Sequence, residues 1–506
     1  MISCKAISCR LRFHILCGNG IAGRLIRSLS ALFLAISISV FSIPVTAHAE
    51  SRPDDIIGNR TVAESGIPAA AVPSVSSGYA YVADSDGTVY FQRNADERTH
   101  IASITKIMTA LVALEYGEPG SLITVSENAA SVGESTSGLQ AGDVLSLEDA
   151  VKGLMVPSGN DAAVALAENV GRTILAKAMT ASSASEGDGN TAEGLDRTAE
   201  DDSPEATRPD SITDEDAYEA FVDTMNTKAA ELGCENTLFA NPHGLDDEGY
   251  EGDMYSSAHD VALISAAAMD IPFFKETVGA GDTTIAVVRD GENIELPLES
   301  TDLFLQHYEG AAGIKTGYTD AAGYCFSGAA ERDGTGFYAV VLDSSDEIQR
   351  FDDVEALLDW AFGSMVQIPV SNSDQTVEMT AGGSTIEVPV VAWVSHSDWN
   401  DRTFPVAFAD HDAVINTSSA FGNISQQIVI ERSGGTIKQG DIVGHADFYQ
   451  HNQLIHSEDL VACETVEAPS ILDSIAIGWS RLFGSDEDGD SETVIVNEMP
   501  VILQKS

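Results

Sequence analysis

Cationic side chains are scarce in this chain. Lys and Arg number 26 against 79 Asp and Glu over 506 residues, a formal charge of −53. A surface of that sign cannot displace the counterions of a phosphate backbone, so nucleic acid is excluded as a partner, and anionic lipid is repelled. Cysteine is equally thin. Cys4, Cys9 and Cys17 fall near the start, and Cys234, Cys325 and Cys463 are an odd remainder in a large chain. No disulfide scaffold is expected from them, only buried free thiols. No histidine cluster has metal-ligand spacing, so no metal and no cofactor is expected.

A long apolar run, Leu29 to Val45, follows Lys5, Arg10, Arg12, Arg24 and Arg27, with no acidic residue before it and Ala47-His48-Ala49 after it. A basic region, an apolar region and small residues at a cut site describe a secretory signal peptide over 1–49; a retained membrane anchor is the alternative. Its removal leaves 21 basic and 79 acidic side chains, a formal charge of −58.

The length predicts two or three domains. Residues 50–74 read as an irregular lead-in. Tyr79-Ala-Tyr-Val-Ala and Thr88-Val-Tyr-Phe flank Asp84-Ser-Asp-Gly87 and predict a hairpin. Helical spacing begins near Ile104 and ends near Gly117. It returns over Leu145–Met155, from Asp161, over Ala217–Leu232 and over Val354–Phe362. Ser, Gly, Asp and Glu dominate residues 180–214, an acidic stretch expected to be disordered. Beyond Gly363 the runs shorten and Gly-Gly turns separate them, which places a β-rich domain at 367–466 after a first domain at 75–365. The tail, 467–506, holds an apolar segment from Ile471 to Phe483 that either lies on a membrane or docks on the protein. The acidic run Asp486–Asp490 lacks the glycine of a calcium loop and reads as solvated tail.

Three short motifs carry chemistry. Ser103 and Lys106 are three apart at a helix start, so the lysine amine can reach the serine hydroxyl and act as its base. With nine lysines in the chain, one chance Ser-x-x-Lys match is expected, so this motif alone decides nothing. Ser158-Gly-Asn160 sits in a turn between two helices, and Lys315-Thr-Gly317 begins an apolar strand. Together and in this order they are the motif set of penicillin-binding proteins and related β-lactamases. The flanks Val156-Pro-Ser-Gly-Asn-Asp-Ala-Ala163, Asn241-Pro-His-Gly-Leu-Asp246 and Gly313-Ile-Lys-Thr-Gly-Tyr-Thr-Asp-Ala-Ala-Gly-Tyr324 narrow the likeness. Over about residues 75–365 the chain resembles the low-molecular-weight serine D-alanyl-D-alanine carboxypeptidases, and more weakly over the β-rich region.

The resemblance implies an α/β (α+β) fold of the β-lactamase/transpeptidase type, an antiparallel sheet flanked by helices, followed by a smaller all-β domain. It implies that Ser103 forms an acyl-enzyme and that Lys106 is its base. Ser158 relays a proton to the leaving amine, Asn160 holds the substrate amide, and backbone N–H groups of Ser103 and Tyr318 hold the oxyanion. Lys315 and Thr316 bind the substrate's terminal carboxylate, and Gly317 lets its backbone approach. Arg350 is either a carboxylate-pocket arginine or an ordinary surface one. His243 and Asp246 are expected to shape the nearby loop. Tyr318 stands where relatives often carry histidine, which puts any side-chain role there in doubt. Implied partners are peptidoglycan stem peptides, and β-lactam antibiotics as covalent inhibitors, with a peripheral membrane contact left open. The implied location is extracytoplasmic, at the cell wall or outer face of the cytoplasmic membrane. Against the carboxypeptidase stand a serine β-lactamase, for which no Glu-bearing loop signature lies between Asn160 and Lys315, and a non-catalytic wall-binding module.

Overall fold

The computed structural model describes residues 49–185, 212–246, 253–381, 383–450, 452–483 and 492–499. The expected signal peptide, apart from Ala49, and residues 186–211 of the acidic stretch lie outside the described residues.

The fold is α+β. Its centre is a seven-stranded antiparallel sheet built from Ile56–Ile57 (β1), Arg60–Thr61 (β2), Tyr79–Asp84 (β3), Val89–Arg93 (β4), Ala311–Thr319 (β5), Gly323–Arg332 (β6) and Thr335–Ser344 (β7). The strand order is β2-β1-β4-β3-β7-β6-β5, with β5 as one edge. Side chains alternate across a strand, so each strand feeds two cores. Tyr81, Ala83, Val340 and Leu342 enter one, while Ala80, Val82, Ala339 and Val341 enter the other. Burial on both faces explains the almost unbroken apolar run of β7.

On the first face lie the helices Lys106–Tyr116 (α1), Leu147–Met155 (α2), Asn160–Ser185 (α3), Asp214–Glu231 (α4) and Ala258–Met269 (α5). Ile107, Met108 and Leu111 of α1, with Val151 and Leu154 of α2 and Val164 and Leu166 of α3, are buried there. Each such side chain contributes about 1.5–3 kcal/mol on leaving water. Helix ends follow local chemistry: the Ser146 hydroxyl accepts from the Asp149 N–H at the start of α2, and Thr213 and Asp216 cap α4 reciprocally. The second face is covered by Gln349–Ser364 (α6), whose Phe351, Val354, Leu358 and Ala361 recur at helical spacing.

From Met365 the chain is β-rich. A six-stranded antiparallel sheet runs Ile424–Ile430, Ile442–Gln450, Gln453–Ala462, Thr403–Phe408, Ala392–Ser395, Val494–Ile495. Phe404, Phe408, Phe448 and Leu460 pack in a third core. The helix Ile471–Phe483 (α7) leaves this sheet and the chain returns to it as the edge strand Val494–Ile495, paired with Ala392–Trp393.

Four readings need correction. Residues 50–74 are not irregular throughout, because β1 pairs with β4 and the Thr61–Glu64 capping box closes a short helix. α3 continues to Ser185, six residues into the acidic stretch. α6 starts at Gln349 rather than Val354, since its first turn offers a single apolar residue, Phe351, among Gln349, Arg350 and Asp352. The tail supplies a strand, too short to carry a pattern of its own. Cys234, Cys325 and Cys463 are free and buried.

Candidate active site

Ser103 does not sit on the α-helix proper. Ala102–Thr105 form a 3₁₀ turn that leads into α1. In such a turn residues three apart eclipse, so Lys106 stands directly under Ser103. The Lys106 Nζ lies 2.8 Å from the Ser103 Oγ and donates at 2.7 Å to the His243 carbonyl. That carbonyl is held by the loop Asn241–Asp246, where the Asn241 Oδ1 accepts from the N–H groups of His243 and Gly244. The Thr109 hydroxyl straps α1 to the same loop through Pro242.

Two glycines let chain segments close on the serine. A Cβ on Gly244, at φ +94°, would meet the Ala102 carbonyl oxygen at 2.0 Å. A Cβ on Gly317 would lie 2.8 Å from the Ile101 carbonyl oxygen and 3.1 Å from the Ile104 side chain. The space that Gly317 yields is therefore taken by the protein's own serine turn, not by substrate. Ala102 itself is held at φ +49°, a conformation that costs a non-glycine residue about 1–3 kcal/mol.

Ser158 and Asn160 come from the turn between α2 and α3. Ser158 has φ +66°, is buried, and its Oγ has no protein partner. The Asn160 side chain donates to the Gly133 carbonyl at 2.9 Å, which leaves its buried Oδ1 an unused acceptor. Lys315 is 1% exposed on β5, and its Nζ donates to the Thr316 carbonyl at 3.0 Å. The Thr316 hydroxyl lies 2.9 Å from that of Thr301. Tyr318 is half exposed; its hydroxyl donates to Asp320 and its ring lies 4.5 Å from Tyr324.

Arg350 is no surface arginine. It is 6% exposed in the first turn of α6, donates to the Gly317 carbonyl at 3.2 Å, and lies over the rings of Tyr324 and Phe351. Ser103, Ser158, Asn160, Thr316, Tyr318 and Arg350 line one cleft of about 790 Å³. Asp246 also reaches it; its carboxylate accepts from the Thr319 hydroxyl at 2.9 Å and lies 3.1 Å from the His100 Nδ1. Lys106 and Lys315 lie in the walls behind.

Burial dominates the electrostatics. It holds the Lys106 amine well below its usual range, with the Lys315 charge adding to the effect and Asp161 opposing it. Burial, and then Arg350, bring Lys315 down to about 7, while Asp302 pulls the other way. Burial and Lys106 lower His243 to about 3, so its imidazole is neutral. With its charged form disfavoured by burial, the Lys106 amine beside the serine hydroxyl is placed as a general base in contact with a nucleophile. Cationic groups behind one end of the cleft suit a carboxylate. Among the described residues, no group of three or more His, Cys, Asp or Glu side chains is placed to hold a metal ion.

Sequence reasoning missed the His243 carbonyl, whose role no side chain announces, and Thr301, which belongs to no motif.

Fold and site define a serine-type hydrolase. The D-alanyl-D-alanine carboxypeptidase family model matches residues 67–181 and 215–346. The chain is 31% identical over 296 residues to D-alanyl-D-alanine carboxypeptidase DacF of Bacillus subtilis, covering 58% of this chain and 63% of that one. It is 30% identical to DacB2, the D-alanyl-D-alanine carboxypeptidase of Mycobacterium tuberculosis, over 60% of this chain and 89% of that one. The crystal structure of the D-alanyl-D-alanine carboxypeptidase DacD from Francisella tularensis shares the fold, with a TM-score of 0.50 and 23% identity, covering 86% of this chain and 98% of that one. The chain belongs to the D-alanyl-D-alanine carboxypeptidase family.

Proposed function

We propose that this protein removes the terminal D-alanine from peptidoglycan stem pentapeptides through an acyl-enzyme on Ser103. The observation that carries this reading is the buried, pKa-depressed Lys106 amine 2.8 Å from the Ser103 hydroxyl. Lys106 takes the serine proton as the Oγ attacks the carbonyl between the two D-alanines. Backbone N–H groups of Ser103 and Tyr318 hold the oxyanion. Ser158, whose hydroxyl has no protein partner, passes a proton to the departing amine, and Asn160 accepts from the substrate amide. Lys315, Thr316 and Arg350 receive the terminal carboxylate. Free D-alanine leaves, and water then cleaves the ester to regenerate Ser103. A β-lactam carries the same acyl and carboxylate groups and is proposed to acylate the same oxygen.

The test is release of D-alanine from a pentapeptide ending in two D-alanines, with intact-mass analysis and peptide mapping after penicillin treatment. D-Alanine release and an adduct on Ser103 are expected. No release, or an adduct elsewhere, sinks the reading.

We also propose that the protein works outside the cytoplasm and that α7 rests on a membrane surface. Ile471, Leu472, Ile475, Trp479 and Leu482 form one exposed apolar face. The opposite side is tied to the β-rich region, where Arg481 donates to the Asn400 side chain and the Ser397 carbonyl. No helix among the described residues is long and apolar enough to cross a membrane. In vesicle sedimentation, Leu472→Glu with Trp479→Glu should reduce binding at least about tenfold, since each apolar side chain contributes about 1.5–3 kcal/mol. At low salt the −53 chain should prefer phosphatidylcholine over phosphatidylglycerol vesicles.

A further inference from the structure

The segment Ser300–Leu303 runs between the turn that carries Ser158 and the strand that carries Lys315. The Thr301 N–H donates to the Val156 carbonyl at 3.2 Å, two residues before Ser158. The Thr301 hydroxyl meets the Thr316 hydroxyl at 2.9 Å. Three further bonds fix the segment: Ser300 N–H to Asp282, Asp302 N–H to the Ser300 hydroxyl, and Phe304 N–H to Asp302. Thr301 thus ties two walls of the cleft together, and one of its two ties ends on a hydroxyl that faces substrate.

We propose that Thr301 is a positioning residue that orients the Thr316 hydroxyl toward the substrate's terminal carboxylate, an inference that rests on the reaction proposed above. A threonine hydroxyl has one proton and two lone pairs. At Thr316, the Lys315 amine approaches the oxygen at 3.5 Å and the Thr301 hydroxyl at 2.9 Å. When both donate, both lone pairs are occupied and the Thr316 proton points into the cleft. A bound carboxylate is an acceptor only, so it selects this direction of the chain, and each bond polarises the next. Without Thr301, one lone pair is unmet and the Thr316 hydroxyl is free to rotate away. The loss falls on carboxylate binding and leaves the Ser103–Lys106 contact untouched.

The test compares two reagents on Thr301→Val, which keeps shape and removes the hydroxyl. Acylation of Ser103 by a penicillin, which carries a carboxylate, should slow about 5- to 20-fold, the scale of losing one bond that supports a charged partner. On a pentapeptide ending in two D-alanines the change should appear mainly in KM. Labelling of Ser103 by an uncharged fluorophosphonate should stay within about twofold of wild type, and Thr301→Ser should restore penicillin acylation. Unchanged penicillin acylation in Thr301→Val would overturn the proposal, and so would equal slowing of both reagents, which marks a general disturbance. A wild type that takes up penicillin and releases no D-alanine defeats the carboxypeptidase reading alone, because the ratio between reagents still decides the role of Thr301.

Discussion

Lys106→Met should lower the rate of Ser103 acylation by about 10²- to 10⁴-fold, the range that a positioned general base supplies. Methionine keeps the length and apolar stem of lysine and fits a fully buried site. What it removes is the amine beside the Ser103 Oγ and the donor to the His243 carbonyl. A serine hydroxyl without a base is a poor nucleophile, so the penicillin adduct should form slowly while the fold persists. Time-resolved intact mass checks the rate, and circular dichroism checks the fold. In the wild type, burial disfavours the charged form of Lys106, and acylation should fall as acid protonates the amine. Lys106→Met should lose that acid limb together with the rate. An acylation rate within tenfold of wild type would assign the base to another group.

Lys315 should give the second large effect, in two experiments of opposite sign. Its amine titrates near 7, so it is charged below that pH and neutral above it. kcat/KM for a substrate with a terminal carboxylate should therefore fall as pH rises through about 7, and Lys315→Met should lose about 30-fold or more at pH 6. The same substitution should stabilise the protein there. The pKa of Lys315 is lowered on folding from 10.5, so between about 7 and 10.5 the unfolded chain holds a proton that the folded chain has released. Stability then rises with pH across that window, and below it the folded protein bears the full cost of a buried ammonium. Lys315→Met should gain about 1–3 kcal/mol at pH 6 and little above pH 10.5. Urea melts at both pH values check this; equal gains at both would show that charge burial is not the cause.

The parts of the site that were legible in sequence are those whose chemistry is local. Ser103 and Lys106, or Ser158 and Asn160, are separated by two or three residues, and one turn of backbone is enough to bring each pair together. The hairpin of β3 and β4 was legible for the same reason, since period and turn residues lie within one window. Contributions made by the main chain or by distant segments left no such mark. The His243 carbonyl is a backbone atom 137 positions from Lys106. The sequence leaves Arg350 open between the carboxylate pocket and the surface, because its burial comes from the packing of α6 on the sheet and not from its neighbours in sequence. Val494–Ile495 is too short for a pattern and is a strand only because Ala392–Trp393 offers an edge.

The two glycine contacts on the serine turn bear on the order of folding. Gly244 and Gly317 press on Ala102–Ile104 from segments more than 130 and 200 residues later in the chain. Nothing within the turn itself favours φ +49° at Ala102. The strained geometry is held only when both segments have docked, and contacts of such long sequence separation form late. The serine turn is therefore clamped from both sides only where the loop Asn241–Asp246 and the edge strand β5 have both docked, so a chain with β5 undocked lacks one of the two contacts that hold Ser103 in place.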